Sequence, residues 1–183
     1  MIILGLGSNL NSSFGNRFEN IDLALLHLKS YGLKILKKSN YYETPSFPDK
    51  KNPKFINIVI EVSNTLKLKD LISNIILVEK KIERVRDKKN DPRTCDIDII
   101  DFNGLITDFD YGNMNFKIPH IQLNNRNFVL YPLREILPLW IHPKTKESIN
   151  ILIDKLPEDQ KLSILKVNKN WYIIINVKPK RPN

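Results

Sequence analysis

Asp96 and Asp98 stand two residues apart in the run Asp91-Pro92-Arg93-Thr94-Cys95-Asp96-Ile97-Asp98-Ile99-Ile100. Along a strand successive side chains alternate faces, so both carboxylates point one way while Ile97 and Ile99 point the other. Two like charges side by side on a half-buried strand repel each other and resist desolvation. Positive charge has to compensate. Magnesium suits such a pair, because it takes oxygen ligands, keeps several waters and is usually held by one or two carboxylates together with substrate phosphates. Two carboxylates on one face could share two such ions and anchor a nucleoside triphosphate. A pair of solvated acids on an edge strand has the same spacing, but the flanking isoleucines place this strand against a core. Metal-assisted phosphate chemistry is the leading expectation.

Arginine grips phosphate with a planar fork, and Arg84, Arg86, Arg93 and Arg126 all fall near the acidic strand or the segment around His120. Arg84 and Arg86 close a predicted helix, where positive charge also suits the helix dipole. The order Arg-x-x-Asp-x-Asp, with Pro92 stiffening its start, lets opposite charges hold a phosphate–metal cluster from both sides. A lone histidine is more often a hydrogen-bonded structural residue than a site residue, and that is the reading of His27 and His142. His120, between Pro119 and Arg126, stays a candidate. Gly7-Ser8-Asn9 resembles a phosphate-loop fragment but lacks the Gly-Lys-Ser/Thr of a P-loop. Close approach of the backbone to a ligand or a neighbouring strand explains Gly7 equally well.

The elements that position these residues are legible from periodicity. Residues 1–6 form a short apolar strand. Phe18, Ile21, Leu25 and Leu28 recur at helical spacing up to Tyr31-Gly32. Residues 33–44 predict a second strand, stopped by Pro45, and residues 46–54 a solvated loop. Residues 55–63 predict a third strand, with Phe55, Asn57, Val59 and Glu61 on one face and four aliphatic residues on the other. A helix is expected over 68–86 with Leu71, Ile75, Val78 and Ile82 inward, then a polar loop and the acidic strand over 94–102. Asn103-Gly104 turns into an Asp/Asn-rich loop reaching Ile118. Residues 127–136 predict a helix with Pro132 in its first turn, and 149–156 a last short helix. The order strand–helix–strand–strand–helix–strand is that of an α+β, ferredoxin-like sandwich (βαββαβ). The expected division is one domain over residues 1–157 and a C-terminal extension over 158–183. In that extension 162–177 alternates like a β-hairpin around Asn168-Lys169-Asn170.

The 183 residues, 42% hydrophobic and 27% charged, suit one globular domain with a proper core. No apolar run is long enough to span a bilayer, and the first residues lack a signal peptide's basic start and cleavage site. The single cysteine, Cys95, excludes an internal disulfide and fits a reducing cytoplasm, with a core thiol as its expected role. The net charge of +9 comes mostly from 22 dispersed lysines against 7 arginines, so it points to an anionic substrate before nucleic acid.

Taken in order, Gly7-Ser8-Asn9-Leu10, Tyr42-x-Thr44-Pro45, Phe55-Ile56-Asn57, Arg84-Val85-Arg86, the Pro92-Arg93-Thr94-Cys95-Asp96-Ile97-Asp98 segment, and Pro119-His120 followed by Asn125-Arg126-x-Phe128 resemble the 6-hydroxymethyl-7,8-dihydropterin pyrophosphokinase family of folate biosynthesis. The likeness covers about residues 1 to 157. It implies the ferredoxin-like fold and transfer of pyrophosphate from ATP to the pterin's hydroxymethyl oxygen, with release of AMP. By resemblance, Asp96 and Asp98 would bind two Mg2+ ions that bridge the ATP phosphates. Arg84 and Arg93 would neutralise charge on the transferred group. Arg86, His120 and Arg126 would hold ATP phosphates, with Ile72, Glu79 and Ile99 near the nucleotide. Gly7, Thr44, Pro45, Phe47, Asn57 and Asp96 would meet the pterin, partly through backbone groups, with Phe55 and Phe128 on its two faces. That chemistry is coherent: phosphoryl-type transfer needs charge neutralisation, in-line placement and exclusion of water. A flat heteroaromatic needs two π faces and an amide that both donates and accepts.

A cytoplasmic, Mg2+-dependent monomer acting on two small molecules, with no nucleic-acid or membrane partner, is the resulting expectation. The polar, basic loops 46–54 and 87–91 are expected to close over the substrates. A nucleic-acid-binding module of the same fold is the rival reading, but Asp96 and Asp98 would repel a phosphate backbone. A metal-dependent nuclease or nucleotidyltransferase shares the acid pair yet gives no reason for the Thr-Pro and Phe-x-Asn motifs.

Overall fold

The apolar N-terminal run forms the strand around which the sheet is built. In the computed structural model, which describes residues 1–47, 49–63, 65–85, 91–112, 114–120 and 122–170, the elements follow in this order: β1 (Ile2–Ser8), α1 (Arg17–Ser30), β2 (Lys34–Lys38), β3 (Tyr41–Thr44), β4 (Phe55–Ser63), α2 (Leu68–Lys81), β5 (Asp96–Phe102), β6 (Thr107–Tyr111), β7 (Met114–Ile118), α3 (Asn127–Ile136), α4 (Ile149–Asp154), α5 (Glu158–Leu162) and β8 (Leu165–Val167). The main sheet has the order β5-β1-β4-β3-β8, with β2 also paired to β4. β1 runs antiparallel to both β4 and β5. With β2 and β3 sharing one place in the order, this is the ferredoxin-like arrangement.

Strand alternation divides the protein into three layers. Leu4, Leu6, Ile56, Ile58, Ile60, Ile97 and Ile99 face Phe18, Ile21 and Leu28 of α1 and Leu71, Ile75 and Val78 of α2. On the opposite face Ile3, Val59 and Ile100 pack under Val129, Leu130 and Leu133 of α3, together with Trp140 and the aliphatic side of α4. Gly5, Gly7, Phe55, Asn57, Asp96 and Asp98 share this second face by alternation, beyond the end of that core. A β-bulge helps. Leu4 pairs with Ile99 but Ile3 with Asp101, so Ile100 is an extra residue on β5. Ile100 and Asp101 therefore both reach the second core, where Asp101 accepts from Trp140 Nε1 (2.9 Å) and from the Gly104 amide (2.8 Å).

Several expectations are corrected. The strand over 33–44 is two strands, broken at Ser39. The Ser39 amide donates to the Val59 carbonyl and its Oγ accepts from the Val59 amide, so a side chain takes over the ladder there. The second helix stops at Lys81, with Ile82 as its cap and Glu83 in the left-handed region at φ 60°, so Arg84 lies past the helix end. The acidic strand begins at Asp96, not at 94, and forms an edge of the main sheet among the described residues; β7 lies beside it. The Asp/Asn-rich stretch contains the hairpin β6–β7, in which Asn115 Nδ2 bonds both Asp108 and Asp110. These acids point outward while Phe109 and Phe116 stack, an alternation hidden by the stretch's polar composition. Pro132 sits inside α3, not in its first turn. The last short helix ends at Asp154 and is followed by α5. Of the expected tail hairpin, β8 adds to the sheet beside β3, Lys169 and Asn170 are helical, and the second strand lies outside the described residues.

Asp101 is 2% exposed, and its removal strands the buried Trp140 indole and takes the acceptor from the Gly104 turn amide. Asp101→Ala should lower unfolding free energy by about 2–4 kcal/mol, read as a shifted urea midpoint at unchanged slope. A shift within experimental error would show that the bulge does not depend on this carboxylate.

Candidate functional site

Bare backbone forms the floor. Gly7 is paired with Asn57 on one side and Asp96 on the other, and Gly5 with Val59 and Asp98. A Cβ on Gly7 would lie 2.9 Å from Asn57 Oδ1 and 3.5 Å from the Phe55 ring, so glycine is required by close approach. Asn57, buried, donates from Nδ2 to Thr44 Oγ1 at 3.0 Å. Tyr42, two residues before Thr44, is fixed by Glu135 of α3 (2.9 Å).

On the other side of the floor three arginines surround the acid pair. Arg84 Nη1 lies 2.7 Å from Asp96 and also binds the buried Glu79 carboxylate. Arg93 Nε lies 3.2 Å from the second Asp96 oxygen, and Arg126 Nη1 donates to Asp98 at 2.9 Å. Glu79 also accepts from the Ile97 amide (2.9 Å), joining α2 to the start of β5. Burial works against the Arg84 charge, but Asp96, Glu79 and Asp98 outweigh it and hold its pKa above the usual value. Burial, reinforced by the charge on Asp96, pushes the Asp98 carboxyl above its usual range although Arg126, His120 and Arg84 pull it down. The like-charge problem visible in the sequence is physically present.

Two of the aromatic candidates, Phe55 and Phe128, are linked to this cluster. The Arg93 guanidinium lies 5.2 Å from the Phe55 ring centre, and that of Arg126 5.4 Å from Phe128. Two parallel relays result, Phe55–Arg93–Asp96 and Phe128–Arg126–Asp98. His120 Nδ1 accepts from the Gln122 amide (3.1 Å); an amide only donates, so the neutral ring carries its proton on Nε2. Burial lowers the His120 pKa, Arg126 acts in the same direction, and Asp98 opposes them.

Not every candidate converges. Ile72 and Ile99 are buried in the helix-side core, on the opposite face from the carboxylates. Phe47, 80% exposed, holds its ring in solvent beside Pro45. Arg86, with residues 87–90 of the expected closing loop, lies outside the described residues. Two residues escaped the sequence reading, and a third was read only as part of a turn. Gly5 extends the floor. Gln122 Oε1 accepts from Arg126 Nη2 at 3.2 Å. Asn9 is a buried hub: its Oδ1 accepts from the Arg93 amide (2.7 Å), and its Nδ2 donates to Ser46 Oγ (3.2 Å) and the Pro53 carbonyl (3.1 Å). The one available signal was an amide side chain immediately after a strand, at a turn.

Among the described residues no group of three or more His, Cys, Asp or Glu side chains could enclose a metal. An ion at Asp96 and Asp98 would complete its shell with water and ligand oxygens, which is how magnesium is held beside phosphates. The all-oxygen donor pair, set two residues apart on one strand face, fits that ion.

The fold is that of a ferredoxin-like α+β protein, with a cluster of carboxylates and arginines at the glycine-floored end of its sheet. The chain belongs to the 7,8-dihydro-6-hydroxymethylpterin-pyrophosphokinase family, whose model matches residues 3–138. It is 36% identical over 142 residues to the 2-amino-4-hydroxy-6-hydroxymethyldihydropteridine pyrophosphokinase of Aquifex aeolicus, covering 78% of this chain and 83% of that one. It is 34% identical over 155 residues to the folic acid synthesis protein fol1 of Schizosaccharomyces pombe, covering 84% of this chain and 20% of that protein. The chain thus spans about a fifth of the length of such larger relatives. The Plasmodium falciparum HPPK-DHPS structure shares the fold at a TM-score of 0.63 and 18% identity, over 84% of this chain and 44% of that one. No helix among the described residues is long and apolar enough to cross a membrane.

An NMR titration of His120 should give a midpoint below 6.5, moving upward in Arg126→Ala. A lowered midpoint means that the folded chain takes up the proton less readily than the unfolded one. This group therefore costs stability as pH falls through 6.5 toward the folded value. A midpoint at or above 6.5 would contradict the burial of the ring.

Proposed function

We propose that this chain transfers pyrophosphate from ATP to 6-hydroxymethyl-7,8-dihydropterin, giving AMP and the pterin diphosphate, in folate biosynthesis. The hydroxymethyl oxygen attacks the β-phosphorus and gives up its proton to water; the bond from that phosphorus to the α,β-bridging oxygen breaks, and AMP leaves with the electron pair. The observation that carries this reading is the acid pair inside three arginines, one strand away from the Asn57–Thr44 amide edge across a glycine floor.

Asp96 and Asp98 would hold Mg2+, two ions in this proposal, which would supply charge neutralisation on the triphosphate when bound. Arg84 and Arg93 bind the transferred group, while Arg126 and the Nε2–H of His120 grip the remaining phosphate oxygens. Glu79 fixes Arg84 and the start of β5. Asn57 and Thr44 read the pterin edge beside Pro45, and Phe55 and Phe128 supply its π faces, the arginines now lying over them moving to phosphate. A monomeric catalytic unit and two small substrates in a cytoplasmic setting complete the reading. A nucleic-acid role finds no support on this face, where the carboxylates already engage the arginines.

The decisive assay supplies ATP, Mg2+ and the hydroxymethyl pterin and measures AMP. One AMP per pterin diphosphate is expected, and chelation with EDTA should stop release. ADP as the product would overturn the reading. Asp98→Ala should reduce turnover about a hundred- to a thousandfold while the circular dichroism spectrum is unchanged; normal AMP release would remove the metal role. Gly7→Ala, by displacing the Asn57 amide, should raise KM for the pterin roughly tenfold, about 1.4 kcal/mol, with KM for ATP little changed. Equal effects on both substrates would contradict the division of the site.

A further inference from the structure

Glu83 occupies a position at which glycine is the usual residue. The Glu83 amide donates to the Lys80 carbonyl (3.1 Å) and the Arg84 amide to the Glu79 carbonyl (3.1 Å). These are the two bonds of a Schellman motif, and its penultimate residue adopts the left-handed conformation that a Cβ disfavours. Glu83 adopts it at φ 60°. Its carboxylate accepts from the Ser13 amide (2.9 Å) and from the Ser13 hydroxyl. Those bonds lower the Glu83 pKa although the group is fully exposed. A solvent-exposed side chain in a disfavoured backbone conformation is thus tied to a loop seventy residues away.

Ser13 lies on the connection between β1 and α1, and that connection also holds Arg93. The Asn9 and Leu10 amides both donate to the Arg93 carbonyl (3.0 and 3.1 Å), and Asn9 Oδ1 accepts from the Arg93 amide. Arg93 and Arg84 approach opposite oxygens of Asp96. One loop therefore reaches both arginines, holding the Arg93 backbone directly and, one residue from Arg84, the Glu83 side chain. We infer that Glu83 is a positioning residue: its clasp on Ser13 makes the β1–α1 connection a frame that sets the spacing of Arg84 and Arg93 about Asp96. Glycine in its place would satisfy the helix end better and lose the frame. Glutamine would keep it, because the amide oxygen accepts from the Ser13 amide and the amide nitrogen donates to the hydroxyl.

The kinetic arm of the test rests on the pyrophosphokinase reading; the spectroscopic arm does not. In the full chain, Glu83→Gly should unfold at a temperature equal to or above that of the parent. Its Arg84 guanidinium signals in 15N NMR should broaden and exchange faster, as they should in Ser13→Ala. Glu83→Gln should retain the parent signals. Where the parent turns over, kcat should fall between roughly tenfold and a hundredfold in Glu83→Gly, with KM for both substrates within about twofold and recovery in Glu83→Gln. Unchanged Arg84 signals in both Glu83→Gly and Ser13→Ala would overturn the inference, as would a loss of kcat that merely tracks a lowered melting temperature. A parent that releases no AMP refutes the kinase reading alone, and the Arg84 signals still decide the role of Glu83.

Discussion

Two carboxylates facing the same way from one strand form the constraint on which this structure turns. At about 7 Å, the spacing of alternate residues on a strand, two charges at an intermediate dielectric repel by roughly 2 kcal/mol before any desolvation. The fold answers with arginines drawn from distant places: Arg84 after α2, Arg93 before β5 and Arg126 before α3. Each is fixed at its far side by something other than the acids. Glu79 holds Arg84, the Asn9 hub holds the Arg93 backbone, and Gln122 holds Arg126. Such held guanidinium groups lose little freedom when a phosphate replaces a carboxylate as their partner.

The sheet serves the same constraint. Gly5 and Gly7 expose backbone where other residues would fill the space, and the helix-side core remains complete because Leu4 and Leu6 point the other way. The second core stops at Val59 and Ile100, so α3 covers only one end of this face. The bulge at Ile100 turns Asp101 toward Trp140 and leaves Asp96 and Asp98 outside the apolar layer. One extra residue thereby separates a structural carboxylate from the two of the proposed site on the same strand.

Much of this was readable from residue order. The alternation of 55–63 placed Asn57 and Phe55 on one face and the aliphatic core on the other, because a strand with one buried side leaves a period of two in the sequence. The spacing of Asp96 and Asp98 carried their shared face in the same way. What was not readable depended on contacts between distant segments. Ser39 breaks a strand because its hydroxyl meets the Val59 amide, and nothing within five residues of Ser39 announces that partner. The helix ends at Lys81 although apolar spacing continues to Ile82, since the chain must turn there to bring Arg84 onto Asp96. The hairpin β6–β7 was hidden by outward aspartates whose partner, Asn115, lies across the turn. Asn9 looked like a turn residue because its three partners belong to other loops.

The two relays, Phe55–Arg93–Asp96 and Phe128–Arg126–Asp98, bear on how the parts of the proposed site would communicate. Each guanidinium lies over a ring and neutralises an acid at once. Asp96 and Asp98 would hold a divalent ion whose charge is twice that of an arginine, a stronger counter-ion at equal distance. Arg93 and Arg126 would then have phosphate oxygens as their best partners, and a move toward them would uncover the phenylalanine faces. On the proposed reading, loading the metal-bound nucleotide would prepare the flat-ring subsite without any change in the backbone. The coupling has a limit set by the cation–π contact being given up, about 0.5–2 kcal/mol per pair, which is the same scale as a tenfold change in affinity.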